Sequence, residues 1–369
     1  MRLRIRDLPM GALMLCGASM LWTVTATAQG LPPVASTTAA NAAQRDTSYI
    51  DEHGTAHVTR VVPIPGTISP EARKVLEHAS GDQEPEIPLP MRRVGIGIWA
   101  EQAAKDWSKL CPNHREESVM GGVPVRIVTP QRMPAANRDK VLLELHGGGF
   151  DSDTGSYTET IPIAGYTAIK VVAALYRLAP EHPYPAAVDD AVAVYKELLK
   201  SYRPEHIAIY GTSAGAILTA QVAVRLRHDG LPLPAALGIF SGIGDFANPG
   251  DSMAIYSLRG FSGHLDPPPP AYRDSPYLHG ADPADPLVSP IRADLHGMPP
   301  ALFVSSERDL LLSGTINLHR AFLRAGNDAR LVVFDALPHA FWYDPALPES
   351  IEANKTMAAF FVHALSQKP

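Results

Sequence analysis

The chain has 369 residues, of which 46% are hydrophobic, so it can bury a sizeable core and does not have the composition of a disordered protein. Its formal charge of −6 argues against a nucleic-acid partner, because phosphate groups demand a basic face. The 35 prolines exceed the usual share of about 5% and indicate many ordered turns.

The first residues have the pattern of a secretory signal peptide. Arginines at positions 2, 4 and 6 precede an uncharged apolar run over residues 8–24, which ends in the small residues Ala26-Thr27-Ala28. This A-x-A pattern predicts cleavage after Ala28, export to the periplasm or the medium, and no stable membrane span after processing. The alternatives are an uncleaved anchor or a buried helix. The shortness of the apolar run and the position of the cleavage site argue against both.

Only Cys111 is left after this cleavage, so an internal disulfide is excluded. No nucleophile motif surrounds Cys111, and we expect a packed, inert thiol. Residues 29–68 are predicted to form a flexible leader, because they begin with a stretch rich in Ala, Thr and Ser that shows little periodicity. Helices are predicted from residue 69 and over residues 100–110, before any strong strand pattern.

From residue 123 onward, short apolar runs alternate with helical patterns. The predicted strands cover residues 123–128, 141–145, 170–176, 206–210, 237–241, 301–305 and 331–334. The predicted helices cover residues 186–200, 214–228, 313–325 and 348–365. This alternation predicts an α/β fold with a parallel sheet covered on both faces. Residues 245–290, rich in Pro, Gly and Asp, interrupt the alternation and predict an insertion over the sheet.

The strongest motif is Gly211-Thr212-Ser213-Ala214-Gly215, which follows a predicted strand and opens a predicted helix. A nucleophile on such a tight turn needs neighbours without bulk, and the two glycines satisfy this need. The helix N-terminus also directs amides and a positive dipole end toward developing negative charge. The motif therefore predicts Ser213 as a nucleophile, although alone it leaves open an ordinary glycine-rich turn.

A second glycine motif, His146-Gly147-Gly148-Gly149, directly follows the strand predicted over residues 141–145. Consecutive glycines let backbone amides approach an oxyanion without obstruction from side chains. The alternative is a flexible or phosphate-binding loop. A phosphate-binding loop would carry a Lys-Ser/Thr pair after the glycines, whereas Phe150-Asp151 follows here.

A serine nucleophile needs a base that a third group holds in one tautomer. Asp309 and His339 follow Ser213 in the chain order that hydrolases with this elbow use, each shortly after a predicted strand. The carboxyl ends of parallel strands are where open α/β sheets gather their sites. We therefore predict His339 as the base and Asp309 as its orienting acid. The competing residues are Glu307 as the second choice of acid, Asp285, Asp335, His264, His296 and His319.

Together these motifs resemble the hormone-sensitive-lipase-like branch of the α/β-hydrolases, the bacterial esterases often called family IV. The glycine motif at 146–149 is similar to that family's oxyanion signature, and residues 211–215 are similar to its elbow in the G-T-S-A-G variant. The block Tyr176-Arg177-Leu178-Ala179-Pro180-Glu181 and the pattern from Ser289-Pro290 to His339 are also similar. Ala216, where many members have Gly, and the leucines directly after Asp309 depart from the family pattern.

The resemblance covers roughly residues 123–365 and implies an α/β-hydrolase fold with a mostly parallel eight-stranded sheet and helices on both faces. It implies a cap built from helices within residues 69–122, to which the 245–290 insertion can contribute, on a catalytic domain at 123–369. It further implies that the amides of Gly148, Gly149 and Ala214 form the oxyanion hole. Dimers are common among members, so a homodimer is compatible with the resemblance.

The expected activity is that of a serine carboxylesterase acting on short-chain esters, lactones included, through an acyl-enzyme. The alternatives are an amidase or peptidase with the same triad, and a non-catalytic binding protein, which would need a damaged site. The expected partner is a small-molecule ester. We expect no cofactor, because the sequence has neither an H-E-x-x-H motif nor a complete dinucleotide fingerprint, and no metal site.

Overall fold

The computed structural model describes residues 48–59, 62–77, 87–255 and 275–367. The predicted signal peptide therefore lies outside the described residues. The chain divides into two compact units, one that spans Ala18–Gly66 and one that contains the residues from Thr67 onward. Among the described helices, none is long and apolar enough to cross a membrane.

The first unit contains a small antiparallel hairpin of β1 (Tyr49–Ile50) and β2 (Ala56–His57), where the sequence predicts only a flexible leader. Its turn is held by the Asp51 carboxylate, which accepts hydrogen bonds from the backbone of His53 and Thr55, each at 2.9 Å. The apolar pattern is too short to predict strands, but this turn chemistry forms the hairpin locally.

The second unit is built on an eight-stranded sheet with the order β10-β9-β8-β7-β5-β6-β4-β3. The strands are β3 (Asn113–Met120), β4 (Val123–Pro130), β5 (Val141–Leu145), β6 (Lys170–Ala174), β7 (Ile207–Thr212), β8 (Ala236–Phe240), β9 (Ala301–Arg308) and β10 (Ala329–Pro338). Strands β5 to β10 run parallel, whereas β4 pairs antiparallel with both β3 and β6. The α/β fold with a mostly parallel eight-stranded sheet is thus confirmed.

Helices cover both faces of the sheet. The described α-helices of this unit are α1 (Pro70–Glu77), α2 (Leu89–Leu110), α3 (Thr160–Thr167), α4 (Ala186–Leu198), α5 (Ala214–His228), α6 (Ser252–Ile255), α7 (Leu312–Arg324) and α8 (Pro348–Ala364). Side chains of α4, α5 and α7 share one buried cluster with Leu143, Ile209 and Phe303 of the sheet. On the other face, α3 packs on α8, whose Phe361 contacts Tyr210 of β7. Because both faces are covered, β5, β7 and β8 are buried along their whole length.

The structure differs from the sequence-based elements at three places. The sheet begins with β3, before residue 123, because the turn at Gly121-Gly122, with φ of 59° and 84°, folds a polar edge strand onto β4. Helix α2 begins at Leu89 rather than at residue 100, and α3 was not predicted. Within 245–290, where the sequence shows no clear strand, the described residues contain the short helix α6 and likewise no strand, while residues 256–274 lie outside the described part.

Candidate active site

Ser213 occupies the turn between β7 and α5 in a strained backbone conformation. Its φ of 60° and ψ of −121° lie outside the regions that residues with a Cβ normally adopt. The turn is held by the Ser213 amide, which donates to the Phe240 carbonyl at 2.9 Å, and by the Ser213 carbonyl, which accepts from the Ile217 amide at 3.1 Å. The side chain is half-buried, whereas Thr212 and Ala214 on either side are buried. The turn therefore leaves the Ser213 side chain partly exposed between two buried neighbours.

The glycines of the elbow are required by the end of strand β5. A Cβ atom on Gly211 or on Gly215 would clash with the carbonyl oxygen of Leu145. The elbow therefore packs directly against the point where β5 leads into the glycine loop His146-Gly147-Gly148-Gly149. A Cβ on Gly147 would lie 3.0 Å from the Thr212 carbonyl, so this loop runs beside the residue that precedes Ser213.

The glycine loop has a conformation that side chains would not permit. Gly148 and Gly149 have φ of 117° and 64°, and a Cβ on Gly148 would clash with the Ser152 carbonyl. His146 anchors the start of the loop from within the core, since its ring stacks on Tyr176 at 4.0 Å between centroids. The Tyr176 hydroxyl also donates to the His146 carbonyl at 2.6 Å. The loop is thus rigidly placed next to the elbow.

Asp309 and His339 are brought together at the carboxyl ends of the neighbouring strands β9 and β10. The distance between His339 Nδ1 and Asp309 Oδ1 is 2.9 Å, and the Asp309 side chain is fully buried. A register shift in β10 between Phe334 and Pro338 sets the position at which His339 leaves the sheet. The Ser306 hydroxyl donates to the Pro338 carbonyl at 3.1 Å and fixes that exit.

Three further donors surround the Asp309 carboxylate. Oδ1 accepts from the Leu311 amide at 2.8 Å, and Oδ2 accepts from the Ser305 hydroxyl at 2.9 Å and from the Ser241 hydroxyl. Burial alone would raise the pKa of Asp309, but the charge of His339 and these hydrogen bonds outweigh it and lower the pKa. Asp309 is therefore a stable carboxylate that holds one nitrogen of His339.

The loop after β10 is also tied to the elbow. Trp342 Nε1 donates to the Thr212 hydroxyl at 3.1 Å, which links the segment that carries His339 to the residue before Ser213. The Trp342 carbonyl in turn accepts from Ser350 at 2.8 Å and from Asn354 at 2.9 Å in α8. Helix α8 thus holds the loop after β10 through two hydrogen bonds.

The competing residues have other partners. Glu307 is exposed, and its hydrogen bond with Asp335 is the largest cause of the raised pKa of Glu307. The His319 ring lies 3.3 Å from the Ala329 carbonyl, and His296 is exposed. Asp285 accepts from the backbone amide of Leu287 at 2.8 Å, while His264 lies outside the described residues.

Helix α2 is bonded to loops that follow three strands of the sheet, β5, β6 and β10, at their carboxyl ends. Near its start, Arg92 pairs with Asp151 of the loop after β5 at 2.5 Å, and Arg93 forms two 2.8 Å bonds to Glu181. Near its end, Trp107 Nε1 donates to the Tyr343 carbonyl at 2.9 Å, in the loop after β10. Helix α2 therefore joins the loop after β5 to the loop after β10, and its role as a cap stays a prediction.

Sequence reasoning did not single out the residues that support the predicted site. Ser241 directly follows β8 and Ser305 lies within β9, where a single hydroxyl gives no periodic pattern, and Trp342 has the pattern of an ordinary core aromatic. Cys111 is buried, and burial raises the pKa of its thiol, in agreement with a packed cysteine. Within the described ranges, no group of three or more His, Cys, Asp or Glu residues is arranged to hold a metal ion.

Known proteins are similar to this chain in both sequence and structure. Residues 142–343 match the family described as alpha/beta hydrolase fold. An acetyl-hydrolase of Streptomyces hygroscopicus is 37% identical over 234 residues, which cover 62% of this chain and 77% of that protein. Esterase E25 superimposes with a TM-score of 0.73 at 31% identity, covering 85% of this chain and 99% of E25.

A further solved structure, described as an esterase from the bacterial hormone-sensitive lipase family, superimposes with a TM-score of 0.70 at 31% identity, covering 81% of this chain and 99% of that one. The sheet order, the elbow and these matches define an α/β-hydrolase. Within that class, the chain belongs to the bacterial hormone-sensitive lipase family, as its motifs predicted.

Proposed function

We propose that this protein is a serine carboxylesterase that hydrolyses short-chain carboxylic esters through an acyl-enzyme. The observation that carries the proposal is the 2.9 Å contact between His339 Nδ1 and the buried carboxylate of Asp309, two strands along from the strained Ser213 turn. Because a carboxylate only accepts hydrogen bonds, Nδ1 carries the proton and Nε2 is the ring nitrogen that can accept another. That is the tautomer a general base needs.

In the proposed reaction, Ser213 Oγ attacks the ester carbonyl carbon while His339 Nε2 takes the hydroxyl proton. The carbonyl oxygen becomes an oxyanion. The amides of Gly148 and Gly149 in the glycine loop and of Ala214 at the start of α5 stabilise it. The intermediate then expels the alcohol, which receives the proton from His339. In the second half, His339 removes a proton from water as the water oxygen attacks the acyl carbon. The bond to Ser213 Oγ then breaks, Oγ receives the proton from His339, and the acid is released.

Two observations support esters with a short acyl group. Helix α2 is fixed at both ends to loops beside the site, by Arg92 and Arg93 near its start and by Trp107 near its end. We infer that a helix held in this way limits the room for a long chain. The relative from Streptomyces hygroscopicus carries the name acetyl-hydrolase, which agrees with the same size of acyl group.

The proposal is tested with purified Ser213→Ala and p-nitrophenyl acetate. We expect kcat to fall by about 10⁶-fold, the loss that removal of a triad serine causes. A fluorophosphonate probe should label the wild-type protein and leave the variant unlabelled. Unchanged hydrolysis by a correctly folded variant would refute the assignment of Ser213.

We also propose that the enzyme is exported and that signal peptidase cleaves after Ala28. The three arginines, the apolar run over residues 8–24 and the Ala26-Thr27-Ala28 site support this proposal. The test is expression of the full chain in a Gram-negative host, followed by osmotic shock and N-terminal sequencing of the active fraction. A first residue of Gln29 is expected, whereas active protein that still begins at Met1 would contradict cleavage.

A further inference from the structure

A fully buried carboxyl group lies directly behind the proposed oxyanion loop, and the reaction described above does not use it. It belongs to Glu159, the residue before α3. One of its oxygens, Oε1, accepts from the Gly147 amide at 3.2 Å and from the Tyr343 hydroxyl at 2.7 Å. Gly147 precedes the two proposed oxyanion glycines, and Tyr343 lies four residues after His339. A single oxygen therefore joins the two loops that the proposed chemistry must hold together.

The same carboxyl is connected to the elbow. The Thr212 hydroxyl, next to Ser213, favours the charged form of Glu159, and it also accepts the hydrogen bond from Trp342 at 3.1 Å. The Tyr343 main chain accepts from Trp107 of α2 at 2.9 Å. Glu159 thus bonds directly to the loop after β5 and to the loop after β10, and the loop after β10 bonds in turn to the elbow and to helix α2.

The surrounding chain is shaped to contain this carboxyl. A Cβ on Gly155 would clash with Glu159 Oε1, so glycine is required there to leave room for it. The Tyr210 hydroxyl donates to the Glu159 carbonyl at 3.2 Å, and the Glu159 amide donates to the Gly155 carbonyl at 2.8 Å. Main chain and side chain are both fixed, so the position of Oε1 is well defined.

This arrangement is costly for a group that serves packing alone. Among the described residues, Glu159 Oε2 has no hydrogen-bond partner. Burial, with a smaller contribution from the charge of Asp153, raises the pKa of Glu159 to about 7 against the opposing effects of Tyr343, Thr212 and the Gly147 amide. An apolar residue would fill such a site with less loss of stability. What distinguishes Glu159 from a carboxyl that serves packing alone is the pair of hydrogen bonds that Oε1 accepts from the two loops.

We propose that Glu159 is a positioning residue that sets the spacing between the oxyanion loop and the loop that carries His339. The inference rests on the proposed esterase function. Glu159 touches no substrate; it acts by holding Gly147 and Tyr343. Misplacing either loop by about 1 Å costs about 10²-fold in rate, because the amides no longer meet the developing oxyanion.

The test compares Glu159→Ala, Glu159→Gln and Tyr343→Phe by kcat and KM on p-nitrophenyl acetate. We expect Glu159→Ala to lower kcat by about 10²-fold while KM stays within about three-fold, because the loss falls on the transition state. Glu159→Gln should recover most of kcat, since its amide oxygen can accept the same two bonds. Tyr343→Phe, which removes the hydroxyl that donates to Oε1 and leaves the carboxyl in place, should lower kcat by about ten-fold.

Glu144→Gln is the matched control. Glu144 is another fully buried carboxyl, on β5, whose charge interacts with that of Glu159, but neither of its oxygens has a hydrogen-bond partner among the described residues. Its replacement therefore changes the buried charge beside Glu159 and leaves the two bonds of Oε1 intact. We expect it to keep the wild-type kcat. Wild-type kcat in folded Glu159→Ala and in Tyr343→Phe, or an equal loss in Glu144→Gln, would overturn the inference. If Glu159→Ala does not fold, Tyr343→Phe and the glutamine variant decide. Failure of the wild-type protein itself to hydrolyse esters would refute the proposed function instead.

Discussion

Replacing Asp309 by Asn removes the charge that faces His339 and preserves the size of the side chain. Asn at this position can still form a hydrogen bond with each of the groups that now contact the Asp309 carboxylate. Its carbonyl oxygen can accept from His339 and the Leu311 amide, as Oδ1 does now at 2.9 and 2.8 Å. Its NH₂ group can donate to the hydroxyls of Ser241 and Ser305, which rotate to accept. We therefore expect the imidazole to keep its tautomer and to lose only the stabilisation of its positive charge.

The size of that loss follows from the geometry. Two unit charges about 4 Å apart interact by about 4 kcal/mol at the effective dielectric constant of about 20 that suits protein sites. Since each 1.4 kcal/mol is ten-fold in rate, kcat should fall by about 10³-fold. A wrong tautomer would cost about 10⁴-fold. The assay is kcat and KM on p-nitrophenyl acetate at pH 8, with the melting temperature as a check of folding.

Glu307→Gln is the matched control for this prediction. Glu307 precedes Asp309 by two residues, but it is exposed and bonds to Asp335. We expect its kcat to stay within about two-fold of wild type, as for surface changes away from the site. A loss below ten-fold in Asp309→Asn, or a 10³-fold loss in Glu307→Gln, would refute the assignment of the acid.

Two further predictions concern stability, measured by urea unfolding. Gly215→Ala should lower the free energy of unfolding by about 1–3 kcal/mol, because its Cβ would clash with the Leu145 carbonyl. Gly97→Ala, in α2 with open space around the site, should raise it by up to about 1 kcal/mol, and the opposite ranking would contradict the elbow packing. The free energy of unfolding of Glu159→Gln, relative to that of wild type, should rise by about 3 kcal/mol as the pH increases from 4 to 9. The wild-type carboxyl, whose pKa is raised from 4.5 to about 7, stabilises the fold fully below pH 4.5 and loses that stability as pH rises through 7. A difference independent of pH would contradict the raised pKa.

The sequence predicted most of the sheet because its central strands are apolar on both faces. Strands such as Val141–Leu145 and Ala236–Phe240 stand out as short buried runs. Strand β3 does not, since an edge strand with five exposed positions out of eight needs no apolar alternation. The early half of α2 is similarly obscured, because Val94 and Ile98 are exposed and Gly97 interrupts the helical pattern.

The candidate site was predictable to the extent that its chemistry depends on backbone shape. Glycines beside Ser213 and after His146 are visible in the sequence because a Cβ would not fit, and the order of serine, acid and histidine follows from the fold. Glu159 and Ser241 could not be found in this way. Their importance comes from contacts between residues far apart in the chain, such as Glu159 with Tyr343, and no local pattern records those contacts.

Trapping the acyl group on the protein is the decisive test of Ser213 as the nucleophile. Wild-type enzyme is mixed with excess p-nitrophenyl acetate, quenched in acid within the first turnovers, digested and analysed by mass spectrometry. We expect one acetyl group on the peptide that contains Ser213, released with the same rate constant as steady-state turnover, and none in Ser213→Ala. Turnover that leaves Ser213 unmodified, with acetyl absent or carried by another residue, would contradict this expectation.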